Sequence, residues 1–245
     1  MKEHTLEEKQ RFWRQNKVIG PEGIELDRTH YSPEDIVSKI APYMTEERRQ
    51  RIEQVLLGRT RSIIPVMENI YDRGNISAAM RSAEAYGFLE FHIIEAKDAR
   101  FKSANRVTQG ADKWLDVKEF TSTESCLDHL KQRGYKIYAT DLTASKPISE
   151  IDFTEPSALI FGNEKDGISD QAREMADANI ILPMTGFAQS FNISVAAALS
   201  FYHIWLYRQQ RLDKNGDLSQ DELNLLRANY YYKAVKSPDM LLKSR

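Results

Sequence analysis

The stretch ANIILPMTGFAQSFNISVAAALSFYHIWLYRQQR, Ala178 to Arg211, decides the fold class. Asn179 to Leu182 is β-branched and aliphatic, the signature of a buried strand, and Pro183 ends it because proline has no N–H to give a ladder. The chain leaves the sheet there. Thr185 and Gly186 allow a turn, and either Ser190 or Asn192 can cap the helix that Val195 to Tyr207 forms. That helix is apolar nearly all round, so it cannot lie on a surface. Ala196, Ala197 and Ala198 let another backbone come close, while Phe201, Tyr202, Trp205 and Tyr207 supply large packing area. Arg208 and Arg211 sit where cations suit a helix C-terminus. Taken alone, the polar loop between strand and helix needs no role beyond capping.

Upstream the same rhythm repeats. Ser62 to Met67, Phe91 to Ile94, Leu115 to Phe120, Tyr135 to Thr140 and Ser157 to Phe161 read as strands. Between them stand a helix Ile76 to Tyr86 capped by Asn75 and ended by Gly87, a helix opened by the Thr121 and Glu124 capping box, and a helix Asp170 to Ala176. Alternation of this kind predicts a parallel sheet with helices on both faces, an α/β domain over residues 61–211, with ligands at the carboxyl ends of its strands. Residues 1–60 form an N-terminal helical extension: a helix Leu6 to Asn16, a break at Gly20, Pro21 and Gly23, a helix begun by Ser32 and Pro33, and one from Thr45 to Gly58. Residues 212–245 form a C-terminal helical extension, in which Ser219 and Glu222 box the start of a helix carrying Tyr230, Tyr231 and Tyr232.

The chain of 245 residues is 41% hydrophobic and 29% charged, enough for a globular protein with a sizeable core. Its apolar runs fall short of membrane length, and MKEHTLEEKQRFW lacks the apolar core of a secretory signal. Cys126 is the sole cysteine, which excludes an internal disulfide and suits a cytoplasmic location. The formal charge is −2, so a polyanion would be held by local patches. Arg48, Arg49, Arg51, Arg59 and Arg61 make one patch; Lys97, Arg100, Lys102, Arg106 and Lys113 make another, with Lys233 and Lys236 in the last helix. A charged helix face is usually just solvated. The five histidines are scattered without metal spacing, so no metal is expected. A G-x-G-x-x-G fingerprint, a P-loop and a G-x-S-x-G elbow are all missing.

Three strands end in loops richer in glycine and amides than a connection needs: ENIYDRGNISAAMRSAEAYGF (68–88), FGNEKDGIS (161–169) and PMTGFAQSFNIS (183–194). In the first, Arg81 lies beyond the helix start at Asn75. In the second, Gly162 lets something approach the backbone and Glu164 can accept hydrogen bonds from loop amides. In the third, backbone N–H and C=O groups can hold an adenine edge without charged side chains.

The three loops, in this order, resemble the three motifs of the SpoU class of SPOUT RNA 2′-O-methyltransferases, a likeness running from about Thr45 to Arg211. The resemblance implies a C-terminal trefoil knot, an obligate homodimer built on the Val195 to Tyr207 helix, and S-adenosylmethionine as methyl donor. It implies a ribose in RNA as acceptor, foremost the D-loop guanosine at tRNA position 18; ribosomal RNA, another tRNA position, or a non-catalytic RNA-binding role are the alternatives. By motif position Asn75, Arg81, Glu164, Ser190 and Asn192 match the catalytic set. The cofactor pocket falls to Thr140 and Leu142, to Phe161, Gly162, Glu164 and Gly167, and to Ile181, Pro183, Met184, Ser190, Phe191, Asn192 and Val195. Arg48, Arg49, Arg51, Arg59, Arg61, Lys102, Arg106, Lys233 and Lys236 become candidates for RNA phosphates. Phe191 and Ile193 stand where leucine and valine are usual, and Asp72, Arg73 and Gly74 replace Lys-Pro-His before Asn75.

Overall fold

The computed structural model describes residues 19–95, 110–144 and 146–244; the expected helix Leu6 to Asn16 and the basic residues from Lys97 to Arg106 lie outside them. By contacts the chain divides into two units, Arg59–Asp217 and the remainder before and after it.

The larger unit holds a parallel sheet of seven strands flanked by helices. In chain order the strands are β3 (Ile63–Glu68), β4 (Glu90–Ile94), β5 (Asp116–Phe120), β6 (Lys136–Thr140), β7 (Lys146–Pro147), β8 (Ser157–Phe161) and β9 (Ala178–Ile181). In space they run β5, β4, β3, β8, β6, β9, β7. Every residue of β3, β4 and β8 is buried, as expected of strands covered on both faces, whereas the edge strand β5 is partly exposed. The short β7 was not foreseen.

One face is covered by α4 (Thr123–Gln132) and α5 (Asp170–Met175), whose Cys126, Leu127, Leu130 and Ala172 pack against Ile64, Val66, Ile137, Ala139 and Ile160. The other is covered by α6 (Ile193–Leu212), where Phe201 meets Phe88 and Phe161 edge-on at 5.4 and 5.8 Å. Arg208 lies in the last turns of α6, where a cation was expected, and is buried there. It is 2% exposed, donating to the Phe153 carbonyl (2.9 Å) and to Asp217 (2.9 Å), which also accepts from the Arg61 N–H (3.1 Å).

Two cap assignments change. The helix α3 (Arg73–Ala85) starts earlier than expected, capped by Asp72 rather than Asn75, and Ser122 rather than Thr121 caps α4. Asn192, one of two candidates, caps α6.

The smaller unit contains a hairpin, β1 (Ile24–Leu26) and β2 (Thr29–Tyr31), not foreseen in a stretch read as irregular. Its helices are α1 (Pro33–Ile40), α2 (Glu46–Leu57), α7 (Gln220–Ala234) and α8 (Pro238–Lys243). Ser32, Thr45 and Ser219 cap the first three as read from sequence. Tyr230, Tyr231 and Tyr232 are buried, and the Asn229 amide exchanges hydrogen bonds with the backbone of Ile19 (2.9 and 3.0 Å), so α7 packs inward. No helix among the described residues is long and apolar enough to cross a membrane.

Beneath the sheet edge lies a buried charge cluster that spacing did not reveal. Glu90, fully buried, accepts from His92 Nε2 (2.6 Å), Arg133 (2.5 and 2.9 Å) and Lys118 Nζ (2.8 Å). His129 joins it, and ligand atoms of Glu90, His92 and His129 lie within 4.8 Å of one another. The Glu90 oxygens are already engaged by these donors, so the cluster works as an internal anchor of β4. Burial pushes the Glu90 carboxyl up, but the His92, Arg133 and Lys118 donors together outweigh it and hold it far below its ordinary 4.5. A carboxyl depressed in the folded state stabilises above its unfolded pKa and loses that contribution as pH falls below it. Glu90→Gln is therefore expected to cost about 3 kcal/mol at neutral pH. In urea unfolding, the gap between wild type and variant should narrow as pH drops below 4.5; a gap that is constant with pH would contradict the assignment.

Candidate active site

β3 and β8 pair in parallel with Val66 opposite Ile160 and Met67 opposite Phe161, so their carboxyl ends release two loops side by side. After β3, Asn69 takes a left-handed turn (φ 50°) and its carbonyl accepts from Asn163 Nδ2 (2.6 Å). Asp72 then spends its carboxylate on the Gly74 N–H (2.7 Å) to start α3.

After β8 the chain doubles back on itself. Asn163 and Gly167 exchange backbone hydrogen bonds (2.8 and 2.9 Å), and Gly167 sits at φ 72°. A Cβ on Gly162 would stand 2.2 Å from the Gly167 carbonyl carbon and the Ile168 nitrogen. Gly162 was expected to admit a ligand; what approaches it is the returning strand of its own loop.

That tight turn aims Glu164 at the first loop. Its carboxylate accepts from the N–H of Tyr71 (2.9 Å), the N–H of Asp72 (3.3 Å) and Asn75 Nδ2 (2.8 Å). Burial pushes the Glu164 carboxyl up, yet the Asn75 amide and the backbone donors outweigh it, so it stays below the usual carboxylate range. With Nδ2 committed to a carboxylate, the Asn75 oxygen must face the other way, where it accepts from Asn192 Nδ2 (3.2 Å). The Asn192 oxygen in turn caps α6 through Ser194 N–H (2.9 Å) and hydroxyl (2.6 Å). One chain of side chains, Glu164, Asn75 and Asn192, thus joins all three loops. It exists because Asn75 is not the cap of its helix.

Ser190 is exposed on the third loop, close in sequence to Asn192. Arg81 is exposed farther along α3, outside this network, and its guanidinium has no hydrogen-bond or ion-pair partner among the described residues.

The proposed cofactor wall is built from neighbouring segments. Thr140 spends its hydroxyl on the Ile160 carbonyl (2.9 Å), which leaves backbone and aliphatic groups to face a ligand. Asp141, which sequence reading passed over, accepts from Arg173 Nε (2.7 Å) and from the Thr143 N–H and hydroxyl (2.9 Å each). It thereby shapes the turn that presents Leu142, 58% exposed. From Met184 to Phe191 no backbone N–H bonds to another described residue. Uncharged backbone donors of this kind are the chemistry an adenine edge requires, so the third loop fits an adenosyl group.

The profile of the SpoU rRNA Methylase family matches residues 62–202, most of the larger unit. The chain belongs to this family. A tRNA (guanosine(18)-2'-O)-methyltransferase of Borreliella burgdorferi is 33% identical over 208 residues, 83% of this chain and 94% of that protein. The A. aeolicus TrmH/SpoU tRNA modifying enzyme superposes with a TM-score of 0.71 at 31% identity, covering 78% of this chain and 98% of that one. The SpoU methyltransferase AviRb of Streptomyces viridochromogenes, in complex with AdoMet, shares the fold alone, with a TM-score of 0.56 at 23% identity over 64% of this chain and 61% of that one.

The cations expected to meet RNA phosphates fall in several different settings. Arg59 is a correction: it is 1% exposed and binds the Glu84 carbonyl (3.0 Å) and carboxylate (2.6 Å), so it serves the interior. Arg61 lies 3.6 Å from both Glu90 and Asp116, and Arg49 pairs with Glu46 at 2.6 Å. Arg48, Arg51 and Lys236 are exposed, Lys233 is half-buried, and Lys102 and Arg106 lie outside the described residues.

Proposed function

We propose that this protein transfers a methyl group from S-adenosylmethionine to a ribose 2′-hydroxyl in RNA, that of the D-loop guanosine at tRNA position 18. The observation that carries the reading is the chain from Glu164 through Asn75 to Asn192, which couples the three family motifs in one hydrogen-bonded path. The cofactor, when bound, supplies an electrophilic methyl on a sulfonium whose departure needs no proton.

The residues of the chain do the positioning. Glu164 fixes the Asn75 amide, Asn75 fixes Asn192, and Asn192 and Ser190 shape the third loop against the adenosyl group. Arg81 meets the 2′-oxygen. A guanidinium keeps its proton at physiological pH and is a poor base, so its part is to stabilise negative charge as it grows on that oxygen, whose proton passes to solvent water as the methyl arrives. Arg48, Arg51 and Lys236 hold RNA phosphates in the smaller unit, while residues 61–211 carry the chemistry. A tRNA substrate accords with a cytoplasmic protein.

The knot and the dimer belong to the same proposal. Supporting the knot, β9 pairs with both β6 and β7, which precede it, so the chain's later part returns into the span laid down by residues 136–161. An experimental trace without that threading would remove it. Supporting a homodimer, α6 leaves Val195, Leu199 and Tyr202 between 42% and 48% exposed in a row, with Phe191 at 39% beside its start. Sedimentation equilibrium giving a stable monomer at micromolar concentration would remove the dimer.

The assignment is tested by incubating the purified protein with labelled S-adenosylmethionine and either unmodified tRNA or ribosomal RNA, then mapping the product. Label at the 2′-oxygen of guanosine 18 is expected. Label confined to ribosomal RNA would move the substrate, and no label in any RNA would leave a binding protein. In the same assay Arg81→Ala should lower turnover by roughly 10²-fold or more while cofactor affinity holds. Arg48→Glu should instead raise the tRNA concentration needed for half-maximal rate, with turnover kept. An Arg81→Ala protein with normal turnover would end the catalytic assignment.

A further inference from the structure

We propose, resting on the RNA methyltransferase reading, that Tyr71 is a stacking platform for an unpaired nucleobase of the RNA beside the methylated ribose. Tyr71 is 88% exposed, unusual for so large an aromatic side chain. Its backbone is anything but loose. Its N–H is bound to Glu164 (2.9 Å), the carboxylate that also holds Asn75, and the next N–H, that of Asp72, is bound to the same group. On the other side Ile70 is 6% exposed, and the Asn69 carbonyl is held by Asn163. The loop is therefore pinned before and after a ring that has no hydrogen-bond or aromatic partner among the described residues.

Such an arrangement contributes little to folding, since the side chain buries little area. It suits a ligand with a flat apolar face and no need of a side-chain hydrogen bond. A nucleobase is that ligand, and aromatic stacking accepts any base because every base has a π-face. The neighbouring groups agree with an RNA strand. Asp72 commits a carboxylate oxygen to the Gly74 N–H as the helix cap, and Arg73 and Arg81 put positive charge on the same helix for the phosphates that accompany the base. A single-stranded loop supplies unstacked bases of this kind, where a duplex does not.

The test uses the full chain with unmodified tRNA and S-adenosylmethionine. Tyr71→Ala should raise the KM for tRNA roughly tenfold, leave turnover at saturating tRNA and the KM for S-adenosylmethionine near wild type, and leave the thermal midpoint unchanged. Tyr71→Phe should restore the KM, since the hydroxyl has no part in stacking. In Tyr71→Trp, added tRNA should quench emission beyond any change in the wild type, and S-adenosylmethionine alone should not. A wild-type KM for Tyr71→Ala, a KM defect that phenylalanine fails to rescue, or a shift of Tyr71→Ala to a smaller species in sedimentation would each overturn the proposal while wild-type methylation stands. A wild type that neither binds nor methylates RNA would remove the functional reading and this inference with it.

Discussion

A single carboxylate organises the loops of this protein. Glu164 sits where two adjacent parallel strands end, and its oxygens take three donors from the neighbouring loop. Because the strands are paired in fixed register, the loops they release cannot drift apart. Because the carboxylate fixes one end of the Asn75 amide, the other end has a defined polarity, and Asn192 is selected in turn. The start of α6, the shape of the third loop and the aim of Tyr71 all follow from that one carboxylate and the donors around it.

The same economy holds in the interior. Glu90 gathers His92, Lys118 and Arg133, Arg59 joins Glu84, and Arg208 ties Phe153 to Asp217. Each pairs a buried charge with an opposite one or with a carbonyl, as low-dielectric surroundings demand. These contacts secure the starts of β3 and β4 and the end of α6, and the opposite ends of β3 and α6 carry motif loops. Charge in the interior thus holds the frame together.

Much of this was legible in the residues. Buried strands announce themselves as apolar runs, caps as Ser or Thr before a helix, and the alternation of the two as a parallel sheet. What sequence could not convey were facts of partnership. Asn75 looked like a cap because Asn is a good cap; only the earlier Asp72 taking that role frees it for Glu164. Arg59 looked like part of a basic patch, and Gly162 like an opening for a ligand, because a residue's type does not name its neighbour. The tyrosines of α7 pack inward, as an aromatic run on a terminal helix more often does, although aromatics among cations also suit a nucleic acid. The two segments flanking the sheet could be read as helical but not as one unit, since their association depends on contacts such as Asn229 with Ile19.

The strand order β5, β4, β3, β8, β6, β9, β7 also has a consequence in time. β8 lies between β3 and β6, both of which are synthesised before it. Until Phe161 has left the ribosome, the inner edges of those two strands have no lawful partner in the chain. At about 5 to 20 residues per second, that interval lasts several seconds after β3 emerges. The centre of the sheet therefore stays open until β8 arrives, with β9 still to follow, and a nascent chain must keep two buried, apolar strand edges from pairing with each other, or with another chain, until then.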